Sequence, residues 1–175
     1  MNKMLKKCKE LIPFKIAIAV LVVIILLLGT IKTFRNATLD FISAIYGSVI
    51  VNLTNKERSK VNLSELKVSP ILEKAAQMKA NDMAEKGYFA HNTPEGHSPW
   101  YWFEKAGYQY IYAGENLAVN FLNSEDVETA WQNSPTHWYN IISPKYTEIG
   151  VATSTGFYKG RSAIFVVQLF GTPVK

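Results

Sequence analysis

Three side chains in this sequence carry chemistry that their surroundings do not explain: His91, Glu115 and His137. Glu115 stands with Asn116 inside "YAGENLAVNF", residues 112 to 121, an otherwise small and apolar run. A carboxylate taken out of water without a partner is costly or takes up a proton, so Glu115 must face something. His91 follows "KGYFA", where a helix ends and the chain turns through "HNTPEG". His137 lies in "SPTHWYNI", two residues after Pro135 and so in the first turn of its helix. Imidazole titrates near neutral pH and is the commonest metal ligand. Two histidines meeting a carboxylate would therefore form a proton-transfer pair or a divalent-metal site. Taken singly, each histidine also reads as a hydrogen-bonded packing residue, and Glu115 as the answer to a helix N-terminus. His97, in "PEGHSP", reads as a solvated loop residue.

The elements that would hold these residues are punctuated by four Ser-Pro pairs, at Ser69, Ser98, Ser134 and Ser143. Serine at a helix N-cap followed by proline at the first helical position is a start signal, because the hydroxyl satisfies an orphan N–H and proline has none. The first three pairs precede helical text. "PILEKAAQMKANDMAEKG" puts Leu72, Ala75, Ala76 and Met83 on one stripe and stops at Gly87. "PWYWFEKAG" is a shorter aromatic helix ended by Gly107. An earlier helix is expected from about Asp40 to Lys60, with Phe41, Ile45, Val49 and Leu53 at helical spacing. Another begins near Ser124, turning Val127, Ala130 and Trp131 inward. The tail changes period: "EIGVATS" and "SAIFVVQLF" alternate as strands joined by a turn over Gly156 to Gly160, with Val119 to Phe121 as a further short strand. Helices around a small antiparallel sheet make an α+β layered domain. The four tryptophans, Trp100, Trp102, Trp131 and Trp138, read as core and rim packing.

The formal charge of +5 is not spread over the chain. Residues 1 to 40 hold seven basic side chains against Glu10 and Asp40, and the remaining twelve basic and twelve acidic side chains cancel. A neutral domain without a basic stripe lacks the footprint for nucleic acid. Between Lys15 and Lys32 run sixteen uncharged residues, "IAIAVLVVIILLLGTI". Flanking apolar residues and snorkelling lysine stems extend them to a membrane span. Residues 1 to 15 then form a basic cytoplasmic N-terminus, 16 to 34 one transmembrane anchor, 35 to 43 a linker and 44 to 175 the exported domain. A cleaved signal peptide shares the charged and apolar regions, and would leave the domain secreted. No small-residue cleavage pattern follows Gly29 promptly. The single cysteine, Cys8, falls on the cytoplasmic side as a thiol or an acylation site, so the exported part has no disulfide.

No HExxH, P-loop, GxSxG or GxGxxG in its proper context is present. The ordered set "NKERSKVNLSELKVSPILEKAAQMKANDM", "GYFAHNTPEGHSPW", "AGENLAVNF", "WQNSPTHWYNII" and "YTEIGVATSTGFYKGRSAIFVVQLFG" instead resembles the CAP superfamily, the SCP or PR-1-like domain, in its disulfide-free bacterial branch, over about residues 44 to 171. The resemblance implies an α+β, three-layer α-β-α sandwich with a central cleft. Two histidines and acidic residues line that cleft, and in some members the histidines bind zinc or another divalent metal. Carried over by position, these are His91, Glu115 of the GEN motif and His137, with His91 and His137 as the metal ligands. Two positions depart from the pattern. Ser134 stands where animal and plant members place a second acid, with Glu148 of "YTEIG" as its substitute, and Trp138 replaces an arginine common in bacterial members.

Three functions fit. One is an anchored binding module whose cleft holds a lipid, glycan, peptide or metal-dependent partner. Another is a peptidase or cell-wall hydrolase in which a metal or a His-Glu pair activates water, although the text names no nucleophile or oxyanion device. The third is a structural envelope protein for which the cleft is dispensable.

Overall fold

The computed structural model of the protein describes residues 20–26 and 47–174. The chain divides into two units, Met1–Phe41 and Ile42–Lys175. Of the first, residues 20–26 are helical and their apolar side chains exposed. The rest of the expected anchor, the basic N-terminus with Cys8 and the linker lie outside the described residues. Among the described residues no helix is long and apolar enough to cross a membrane.

The second unit is built on one sheet. Its strands are β1 (Lys67–Val68), β2 (Tyr110–Val119), β3 (Glu148–Tyr158) and β4 (Arg161–Pro173), in the order β1-β3-β4-β2. The expected antiparallel sheet proves to be mixed: β2 and β3 pair antiparallel with β4, whereas the two-residue β1 runs parallel to β3. A strand this short leaves no periodic trace in the sequence. The strand expected over Val119 to Phe121 instead spans Tyr110–Val119 and stops where the text suggested it begins. The anomalous "GEN" segment thus lies on β2, an edge strand.

Residues 47–60 form helix α1, followed by α2 (Pro70–Lys86), α3 (Trp100–Ala106), α4 (Ser124–Gln132) and α5 (Pro135–Ile141). Alternation along the strands sends one set of side chains to each face. Leu117, Ala152, Phe165, Val167 and Leu169 meet Leu72, Ala76, Met83 and Phe103 of α2 and α3 in one apolar cluster. Ala118, Val151, Val166 and Phe170 meet Ile50, Val127, Trp131 and Ile141 of α1, α4 and α5 in the other. The α+β sandwich has a core on each side of the sheet. Gly87 closes α2 with φ 69°, as its position predicts. Neither Ser69 nor Ser134 makes the expected side-chain cap bond, however, and at α4 the capping oxygen belongs to Asn123, which accepts from the Asp126 N–H at 2.8 Å.

Helix α1 turns a different face inward from the one expected. Ile50, Val51, Thr54, Glu57 and Arg58 are buried, while Val49 and Leu53 are only half-buried. A polar stripe goes inside because a polar chain crosses this layer. Asn140 Nδ2 donates to Asn116 Oδ1 (2.9 Å), and Asn116 Nδ2 to Gln168 Oε1 (3.0 Å). Gln168 Nε2 donates to Thr54 Oγ1 (2.8 Å), and Thr54 to Glu128 Oε2 (3.2 Å).

The chain ends on Glu128, a 2% exposed carboxyl whose other oxygen has no partner. Burial, opposed by the Thr54 hydrogen bond, lifts its pKa from 4.5 to about 7. A carboxyl raised on folding stabilises the fold below the unfolded value, and that stability is lost as pH rises through the folded one. Between about pH 4.5 and 7 the protein is therefore expected to lose up to about 3 kcal/mol. In Glu128→Gln this decline should disappear, and near pH 8 the variant should be more stable than wild type by about 1 to 2 kcal/mol, the orphaned amide offsetting the remainder. Urea unfolding across this range is the measurement, and an unchanged slope in the variant would remove Glu128 as its source.

Candidate functional site

Glu115 faces the α2/α3 side of β2, two residues before the apolar-cluster residue Leu117. Because β2 is an edge strand, elements from both helical layers can reach around it. His91 arrives from the loop after α2 and His137 from the first turn of α5. Both histidines and Glu115 line one hollow of about 330 Å³, together with Trp100, Asn140 and Tyr146.

The His91 ring is held by Glu115, with Nδ1 and Oε1 2.6 Å apart. The carboxylate side chain is 2% exposed and the imidazole 58%. Glu115 raises the pKa of His91 through this hydrogen bond, against the opposing effects of burial and of Lys79. His137 is moved the other way, lowered by burial and then by its neighbour His91. One cleft thus holds an imidazole biased toward its charged, donating form and another biased toward its neutral form, which can accept.

Four further residues set this geometry. Ser134, expected in the cleft as the replacement for an acid, uses its hydroxyl on His137 Nδ1 at 2.7 Å, leaving Nε2 of that ring for the hollow. Asn116 Nδ2 donates to the His137 carbonyl (3.2 Å) and Asn140 Nδ2 to the Glu115 carbonyl (3.2 Å), tying α5 to β2. Gly114 leaves room for Tyr146, since a Cβ there would stand 2.5 Å from the tyrosine hydroxyl.

Lys79 was not singled out by sequence reasoning. It is fully buried, and its ammonium donates to the carbonyls of Ala90 (2.9 Å) and His91 (2.8 Å). The periodicity of α2 carries a signal for it: the stripe of positions 72, 75, 76 and 83 runs through 79. Asn140 also had one, lying one helical turn after His137. Glu148 does not join the cleft. Its carboxylate accepts from the Tyr108 hydroxyl at 2.9 Å and borders a separate hollow beside Arg58 and Lys67. The register explains this: Glu148 opposes Gly171 on β4, and the whole of β4 lies between it and β2.

As a divalent-metal site the donors fall short. Among the described residues no three His, Cys, Asp or Glu side chains come together as a ligand set. Two imidazoles, those of His91 and His137, line the hollow, whereas a catalytic zinc takes three protein ligands. The Glu115 carboxylate in the lining keeps one oxygen, Oε2, buried and without a hydrogen-bond partner.

Residues 51–170 match the model of the CAP, or cysteine-rich secretory protein, family. The chain is 38% identical over 126 residues to the uncharacterized protein YkwD of Bacillus subtilis, covering 72% of this chain and 47% of that protein. It is 29% identical over 109 residues to the uncharacterized membrane protein YlbC of the same organism, covering 62% of this chain and 32% of that one. It thus spans about half and a third of these relatives' lengths. Among solved structures, an extracellular protein containing a SCP domain from Bacillus anthracis superposes with a TM-score of 0.64 at 26% identity, covering 74% of this chain and 41% of the other.

Proposed function

Because this chain belongs to the CAP, or cysteine-rich secretory protein, family, we propose that it is a membrane-anchored, extracytoplasmic binding module whose cleft captures a ligand bearing hydrogen-bond donors. One observation carries the reading: Glu115 Oε2 is buried, unpartnered and part of the hollow's lining residue. An orphaned buried acceptor costs about 1 to 3 kcal/mol, which a ligand hydroxyl or ammonium would recover on binding. His137, biased toward its neutral form, adds an acceptor and His91, biased toward its charged form, a donor, while Trp100 and Tyr146 offer apolar faces. A glycan or a peptide carries this combination of groups. The anchor is supported by the lysine-flanked apolar segment from residue 16 and by the likeness to a relative named as a membrane protein.

The test compares the fragment of residues 42–175 with its Glu115→Gln and His137→Ala variants on glycan and peptide arrays and in zinc calorimetry. The wild type is expected to retain a ligand that each variant binds about tenfold more weakly, the equivalent of one lost hydrogen bond. Equal retention by all three forms would remove the cleft as the binding site. Release of peptide or cell-wall fragments that stops in Glu115→Gln would replace capture with hydrolysis. A zinc heat that disappears in His137→Ala would restore the metal.

A further inference from the structure

The geometry points to the β3–β4 hairpin tip, with the loop that follows β2, as a surface that docks this domain onto an anionic lipid bilayer. The tip is a two-residue turn, Lys159-Gly160, with φ 51° and 76°. Such turns favour Asn-Gly or Asp-Gly, because only a few per cent of residues other than glycine adopt a positive φ. Here a lysine occupies the strained position, so a cation stands at the apex. Arg161 follows directly, and both side chains are exposed.

A hollow of about 830 Å³ opens beside them, lined among others by Leu122, Tyr158, Lys159 and Arg161 and by no carboxylate. Lys159 lies over the Tyr158 ring, 5.2 Å from its centroid, and among the described residues neither cation has an ion-pair partner. Over residues 41 to 175 the twelve basic and twelve acidic side chains cancel with these two cations included, so the charge at the tip is local and not a general basicity.

The same end of the domain carries the two most exposed large hydrophobic side chains among the described residues, Leu122 at 89% and Phe157 at 69%. Phe157 and Tyr158 leave the hairpin on opposite faces, so the tip is apolar on both sides. Leucine and aromatic rings beside lysine and arginine form the set that enters a bilayer interface, the rings reaching the acyl boundary and the cations the phosphates. A soluble polyanion would use the cations and leave Leu122 and Phe157 in water. In register Glu115 opposes Leu169, ten residues along β4 from the turn. At a rise of about 3.3 Å per residue the cleft stands about 30 Å from the tip, so docking leaves it open to solvent. The inference does not rest on what the cleft binds.

The fragment of residues 42–175 is one compact unit that contains both apolar clusters and every strand of the described residues, and so keeps its core without the preceding segment. It is sedimented with vesicles of phosphatidylcholine alone or mixed with phosphatidylglycerol. The wild type is expected to bind the mixed vesicles about tenfold better than the neutral ones, and less well as salt is added. Lys159→Glu with Arg161→Glu should lose about tenfold, as should Leu122→Ser with Phe157→Ser. All four side chains are exposed, so these substitutions leave both cores intact. Absence of the wild type from both pellets, or equal pelleting of wild type and variants, would overturn the inference. So would undiminished binding of soluble polyphosphate by Leu122→Ser with Phe157→Ser, or a solution dimer that Phe157→Ser dissolves.

Discussion

Replacing Arg58 with methionine is expected to lower the unfolding free energy by about 3 to 4 kcal/mol, or roughly 10 °C in midpoint for a domain of this size. Arg58 is 2% exposed, and among the described residues no carboxylate forms an ion pair with it. Its guanidinium instead serves backbone carbonyls. Nε donates to Ser64 (3.0 Å), Nη1 to Ile141 and Ser143 (both 2.8 Å), and Nη2 to Tyr146 (3.4 Å). Ile141 is the last residue of α5, where carbonyls have no helical partner and the helix dipole favours a cation. A side chain of α1 thus closes the helix that carries His137. Methionine fills much of the volume but donates nothing, so buried carbonyls are orphaned at about 1 to 3 kcal/mol each. Lysine should recover part of the loss, since its point charge cannot match a planar fork of donors. Chemical denaturation of the three proteins should rank them wild type, lysine, methionine; a methionine variant within 1 kcal/mol of wild type would deny Arg58 this role.

Arg58 also marks where reading the sequence stopped. It stands in "NKERSK", text that looks like the exposed end of a helix, because local periodicity cannot reveal that carbonyls eighty residues further on need a donor. Part of what depended on local pattern was legible, namely α2 with its glycine stop, the two long strands and the α4 stripe, whereas the inward face of α1, the extent of β2 and the serine caps were not. The convergence of His91, Glu115 and His137 came from the order of five motifs, since spacing alone cannot say which distant residues meet. Glu148 failed for the same reason in reverse. It sits near the right motif, but β4 intervenes between it and the cleft. The burial of Thr54 and Glu57 was hidden because a buried polar stripe reads as a solvated one until its partners are known.

Lys79 had a local signal, and the expected effect of removing it reaches furthest into the site. An ammonium has three donors, and three acceptors surround this one: the Ala90 carbonyl, the His91 carbonyl and the Tyr88 hydroxyl at 3.3 Å. Tyr88 in turn donates to Asp82 (2.6 Å), which pairs with Lys86 (2.6 Å), which also pairs with Glu95 (2.9 Å). The loop presenting His91 is therefore fastened to α2 at several points, and Lys79 is the one with no access to water. Burial lowers its pKa, while Glu115 and Asp82 act to keep it charged. Lys79→Met should cost about 3 kcal/mol for two orphaned carbonyls, and should free the loop so that His91 leaves Glu115. The buried carboxylate then loses its hydrogen bond and a nearby cation together. Hydrogen exchange separates this from a general loss of packing. Amides from Ala90 to Thr93 should exchange far faster in Lys79→Met, while those of β3 and β4 change only by the global destabilisation. In Arg58→Met the same loop should follow the rest of the domain. Uniform acceleration in both variants would mean that Lys79 merely fills space and that the position of His91 is set elsewhere.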